Sequence, residues 1–315
     1  MQEGAASTMR RVFLVTAGTS IKGNLRRIEQ AIGQRAGTIR AELGDAIDYL
    51  DGGRNEMPSG LFPLTDEERA ALADAFDRNA ATETPPDRTL SAELSSLYAD
   101  GAPHPTAGDK VILIGSDTDE GERSARLVAC YLLNQMGEPD AEPPPTVPTG
   151  DDTEVAVTDV AREHAVAVVR VRGLIADKHL HLQDAFHDLA NVVLAVVDVT
   201  KEQHAALIVH PTGGFKATLP VLITLLGLLP ETYGDVPVEM WTNHERTPAG
   251  IHLPLLRVGN DMRAVIRADL ERITSSKGLE PALASGTAWR GVLWQPTESG
   301  VALTRFGEAV KALLG

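Results

Sequence analysis

Three clusters of small polar residues in this chain could hold an anion: Thr16–Ser20 (TAGTS), Ser116–Thr118 (SDT) and Thr212–Lys216 (TGGFK). Each lies between an apolar run and a segment with helical spacing. The first N–H groups of a helix have no partner within it, and the helix dipole puts partial positive charge there, so such junctions favour anions. In the third cluster Gly213 and Gly214 let backbone approach a ligand closely, because no Cβ intrudes. Lys216 adds a mobile positive charge. Each cluster also has a plain structural reading, since Gly-Thr-Ser and Ser-Asp-Thr make good turns and N-caps. The third is more specific, because a lysine beside paired glycines has no evident packing task. None has Walker spacing, and Ala17–Ile21 is not a dinucleotide fingerprint.

The elements that must position these clusters are legible as apolar runs. Arg11–Val15 (RVFLV), Lys110–Gly115 (KVILIG) and Ala206–His210 (ALIVH) read as strands covered on both faces, as in a parallel sheet. Weaker strands are expected at Ala165–Val171 and Val236–Thr242. Helices are expected at about Ile21–Arg35, Glu120–Met136, Leu180–Val197 and after Lys216 up to about Leu229. Thr38–Asp100 reads as helices joined by Pro- and Gly-containing loops, and the Pro-rich, acidic stretch EPDAEPPPTVPTGDD as a loop or linker. Alternating strands and helices imply a mostly parallel, Rossmann-like α/β sheet flanked by helices. Ligands of such sheets bind at the carboxyl ends of the strands, where all three clusters stand. After Asn260 the pattern gives a helix at Met262–Ile273, a strand at Trp289–Trp294 and a closing helix at Thr304–Leu314.

Composition bounds the function. Hydrophobic residues make up 43% of the 315 residues and charged residues 23%, an ordinary globular balance. The net charge of −15 argues against a loose grip on nucleic acid or anionic membrane. The single cysteine, Cys130, cannot form an internal disulfide and lies in an apolar helical run. No apolar run is long enough to cross a membrane, and Met1–Arg11 holds no signal core, so a cytoplasmic location is expected. Lys178–His181 with His187 resembles a metal cluster, but positions two apart diverge on a helix. His181, Asp184 and Asp188 read as a solvated polar stripe, so no metal and no cofactor is expected.

Taken together, VTAGTSIKGNL at Val15–Leu25, GSDTDEGERSA at Gly115–Ala125, HPTGGFKA at His210–Ala217 and WTNHERTPAGIHLPLLRV at Trp241–Val258 closely resemble the CRISPR-associated Rossmann-fold (CARF) family of type III CRISPR systems. The resemblance spans roughly Arg11–Val258. It implies a CARF domain at 1–258 with a helical insert at about 38–105, and a homodimer binding a cyclic oligoadenylate on its two-fold axis. On this resemblance Thr19, Ser20 and Gly213–Lys216 line the pocket, and Asn24 supports the first loop. Thr16, Gly18, Ser116, Thr118, Thr212, Phe215 and His244 complete the expected ligand-binding set.

Many relatives carry a HEPN ribonuclease with Arg and His a few residues apart. Here Arg246 and His252 fall inside the core segment, and the remaining tail is too short for that domain. The resemblance is therefore closest to stand-alone ring nucleases, which cleave their own ligand without metal. On it Ser20 orients the attacking 2′-hydroxyl, Thr19 assists, and Lys216 with the Gly213 and Gly214 amides stabilises the phosphoryl charge; cyclic tetra-adenylate is the expected ring, with cyclic hexa-adenylate as its competitor. The alternative is a non-catalytic sensor or regulator acting through a small winged-helix-like or dimerisation segment at 259–315. That segment carries seven Lys or Arg and six Asp or Glu, so a DNA-binding role is not favoured.

Overall fold

The computed structural model describes residues 9–35, 39–58, 60–75, 88, 90–139, 141–150, 152–175, 182–213, 218–229, 231–243, 249–275, 293–297 and 300–314. At its centre is a seven-stranded sheet in the order β3-β4-β2-β1-β5-β6-β7. The strands are β1 (Arg11–Thr16), β2 (Lys110–Gly115), β3 (Thr146–Pro148), β4 (Val166–Arg170), β5 (Ala206–His210), β6 (Val238–Asn243) and β7 (Gly250–Leu253). All neighbours pair in parallel except β6 and β7, which are antiparallel. The fold is the expected Rossmann-like α/β class.

Side chains of β1 alternate between two helical layers, as a period of two requires. Phe13 and Val15 face a layer built from α1 (Ser20–Arg35), α2 (Ala41–Asp51), α3 (Asp66–Ala75), α4 (Ala92–Leu97) and α5 (Asp119–Gln135). Val12 and Leu14 face α6 (Thr153–Glu163), α7 (Leu182–Glu202) and α8 (Thr218–Gly227). In its described residues the insert between α1 and β2 forms the helices α2, α3 and α4, as its pattern predicts. It is clamped by Arg40, which pairs with the buried Glu68 at 2.9 Å and donates to the carbonyls of Gly60 and Leu61. Glu68 also accepts the Thr65 N–H while its own N–H donates to the Thr65 hydroxyl, a reciprocal cap on α3.

Two elements differ from the sequence expectation. The Pro-rich stretch read as a linker contributes β3, a three-residue edge strand paired with β4. Thr153–Glu163, which follows it, is the helix α6, burying Val157 and Ala161. In the C-terminal stretch α9 (Asn260–Ser275) and α10 (Arg305–Leu314) flank an antiparallel pair, β8 (Trp294–Thr297) and β9 (Gly300–Leu303). Trp294 is buried, whereas 289–292 lie outside the described residues. Leu313 of α10 belongs to the second layer of the sheet domain.

Candidate functional site

The chain leaves β1 into the first layer through α1 and leaves β5 into the second layer through α8. Because β1 and β5 are neighbours, the loops behind them diverge and open a crevice between them. That is the topological switch point, where open α/β sheets hold their ligands. The first and third polar clusters therefore meet there, although some two hundred residues separate them in sequence.

The loops touch. The Thr16 hydroxyl, buried at the end of β1, donates to the Gly213 carbonyl at 2.5 Å. A β-carbon on Gly213 would lie 2.5 Å from Glu93 Cγ and closer still to the Thr16 carbonyl oxygen. Only glycine fits, here for close approach rather than for an unusual φ. Thr212 hydrogen-bonds to Ser96 at 2.8 Å and to Thr242 at 3.0 Å. Gly214, Phe215, Lys216 and His244 lie outside the described residues.

An unforeseen group occupies the crevice. Helix α4 packs Leu94 and Leu97 into the first layer, and its polar side faces the strand ends. Glu93 is 1% exposed. One of its carboxylate oxygens accepts a very short hydrogen bond from the Gly18 N–H, and the other accepts the Ser20 hydroxyl at 3.4 Å. Ser20 in turn accepts the Ala92 N–H at 3.0 Å, and the Asn24 amide donates to the Leu90 carbonyl at 2.8 Å. Asn24 thus holds the segment that carries Glu93. Ser95 accepts from Asn243 at 2.9 Å, and the Asp100 carbonyl accepts the Gly250 N–H at 2.8 Å. Among the described residues no Lys or Arg pairs with Glu93. Sequence reasoning passed over Glu93 because an acidic residue in a polar helix reads as solvated; the only local signal was Ser91, which caps α4 by accepting the Leu94 N–H.

His210, at the end of β5, is fully buried, with Nδ1 3.0 Å from the Ser96 hydroxyl. Burial pushes its pKa down to about 3, with the Pro103 carbonyl pulling weakly the other way. The ring is neutral at physiological pH and links the strand end to α4.

The second cluster sits beside the first, since Ala17 N–H donates to the Ile114 carbonyl at 2.8 Å. Thr118 is the N-cap of α5, accepting the Gly121 N–H at 3.0 Å, and lies 3.1 Å from Ser116 Oγ. Asp117 accepts the Gly173 N–H and pairs with Arg170, which also reaches Asp119 and Glu122. Arg170 is thus neutralised by three carboxylates.

Of the polar stripe, the member whose side chain is described, Asp188, is buried rather than solvated. Asp188 is 1% exposed, accepts the Thr149 hydroxyl at 2.6 Å and faces Arg172 and His187. His181 lies outside the described residues. Among the described residues no three His, Cys, Asp or Glu side chains are grouped to hold a metal ion, and no helix is long and apolar enough to cross a membrane.

The family model described as CRISPR-associated protein (Cas_APE2256) matches residues 88–256, more than half of the chain. The chain belongs to this CRISPR-associated family. The match begins just before α4 and runs through β7, so it takes in Glu93 and Gly213. No curated protein matches the chain.

Proposed function

We propose that this CRISPR-associated protein is a ring nuclease that binds a cyclic oligoadenylate in the β1/β5 crevice of a homodimer and opens it. One observation carries the proposal: the Gly18 N–H and the Ser20 hydroxyl converge on a single buried carboxylate pressed against Gly213. Two donors of one loop around one oxyanion, with the glycine of the neighbouring loop close beside it, are what a phosphodiester in this crevice requires.

The reaction is a transesterification within the ring. A ribose 2′-oxygen attacks the neighbouring phosphorus in line, the new O–P bond forms, and the bond to the 5′-oxygen breaks. The proton lost from the 2′-hydroxyl is balanced by one taken up at the 5′-oxygen. The products are a 2′,3′-cyclic phosphate and a free 5′-hydroxyl. Ser20 orients the 2′-hydroxyl with help from Thr19, so the rate comes from positioning. Lys216 and the amides of Gly213 and Gly214 stabilise charge building on the phosphoryl oxygens. Thr16 fixes the two loops to one another. Residues 1–258 form the ligand domain and act in the cytoplasm.

The test is incubation of purified protein with cyclic tetra-adenylate in EDTA. Linear products ending in a cyclic phosphate are expected; tight binding with an intact ring would replace the nuclease by a sensor. The β8–β9 hairpin between two helices favours that second reading, with 259–315 as a winged-helix-like output segment. Its expected signature is a gel shift on DNA of its own locus at physiological salt.

A further inference from the structure

We propose that Glu93 is a built-in stand-in for the ligand's phosphate, and that the cyclic adenylate must displace it to enter the crevice. The inference rests on the function proposed above and concerns the regulation of the same site.

Three observations lead to it. The Glu93 carboxylate is buried and, among the described residues, has no cation beside it. A carboxylate is costly to bury unless hydrogen bonds or an opposite charge compensate. Its bonds come from Gly18 and Ser20, the loop expected to serve a phosphate. The same turn also blocks Ser20 from the other side, because the Ala92 N–H donates to its hydroxyl. Ser20 therefore has its proton engaged by Glu93 and one of its two acceptor lone pairs by Ala92. Ser20 cannot donate to a phosphate oxygen until Glu93 withdraws.

The motion is small. Leu94 and Leu97 are fully buried in the first layer, and Ser95 and Ser96 tie α4 to Asn243, His210 and Thr212. These contacts hold the helix body. The withdrawal is confined to the turn at 91–93 and the Glu93 side chain, which rotates away while the Gly18 N–H passes to a phosphate oxygen. Two anions cannot share the seat, because like charges at such a separation repel strongly in a partly desolvated site.

A stand-in has a signature that neither an ordinary core residue nor a catalytic base shares. Without ligand it stabilises the crevice; with ligand it competes. Glu93→Gln is expected to lower the melting temperature of the ligand-free protein while tightening binding of cyclic tetra-adenylate at least about tenfold. Titration calorimetry and thermal melts of the full chain read both. A variant that melts lower and also binds more weakly would make Glu93 a packing residue. One that keeps wild-type affinity but loses turnover would make it the general base; either result overturns the proposal. Hydrogen exchange on the wild type gives an answer that does not depend on the variant folding. Exchange at 91–93 should rise when cyclic tetra-adenylate binds, whereas protection gained throughout 90–97 overturns the stand-in. If neither wild type nor variant binds cyclic tetra-adenylate or cyclic hexa-adenylate, the proposed function itself falls, and this inference with it.

Discussion

Gly213→Ala tests the contact on which the crevice is built. The new methyl would stand 2.5 Å from Glu93 Cγ, where ordinary van der Waals contact begins at 3.4 Å, and nearer still to the Thr16 carbonyl oxygen. Glu93 can rotate. The Thr16 carbonyl cannot, because β1 is bonded to β2 on one side and β5 on the other. The β5 loop must therefore retreat by about 1 Å, which breaks the 2.5 Å bond between the Thr16 hydroxyl and the Gly213 carbonyl. Losing that bond costs about 1 kcal/mol. The overpacking adds about 1–3 kcal/mol. A total of about 2–4 kcal/mol lowers the melting temperature by about 3–6 °C in a chain of this size. A displacement of about 1 Å at a positioning loop slows cleavage by about a hundredfold. Scanning calorimetry and a single-turnover assay on cyclic tetra-adenylate measure the two effects. Adding Glu93→Ala relieves only the movable contact, so the double variant should still melt low. A Gly213→Ala protein that melts within about 1 °C of wild type and cleaves at the same rate would refute the geometry.

Lys216→Ala should slow cleavage at least about tenfold, a barrier change of about 1.4 kcal/mol; unchanged turnover removes Lys216 from the mechanism. Ser20→Ala should slow cleavage more than it weakens binding, and an equal fall in both would leave Ser20 a binding residue only. His210 has its pKa pushed down to about 3 in the folded chain, so only the unfolded chain takes up its proton between about pH 6.5 and 3. Its contribution to stability is complete above pH 6.5 and is lost as pH falls, by about 2 kcal/mol at pH 5. Urea titrations at pH 7 and pH 5 should show a smaller gap for His210→Gln than for wild type, and an equal gap counts against the buried neutral ring. Burial pushes the Cys130 thiol up to about 11, so native protein at pH 8 should react with Ellman's reagent far more slowly than protein in urea. Equal rates would mean that the helix carrying Cys130 opens readily.

The central strands could be read from sequence because burial on both faces leaves a continuous apolar run, as RVFLV, KVILIG and ALIVH show. β3 escaped because three residues hemmed by prolines carry no period, and only β4 beside them makes them a strand. Glu93 escaped for a different reason. In α4 the leucines face the sheet layer as expected, yet Ser91, Glu93 and Ser96, polar types usually turned to water, are buried as well. The partners that make this tolerable are Gly18, Ser20, His210 and Thr212, which lie up to about 120 residues away in the chain. Asp188 was misjudged likewise, because Thr149 and Arg172 approach it from other elements.

The central position of β1 also fixes an order of events during synthesis. This strand leaves the ribosome first, yet its neighbours start at Lys110 and Ala206. Contacts so distant along the chain close slowly. An N-terminal fragment that stops short of Ala206 leaves one edge of β1 unpaired and possesses only one wall of the crevice. The second wall of the crevice is therefore added late in translation, with the emergence of residues 206–213.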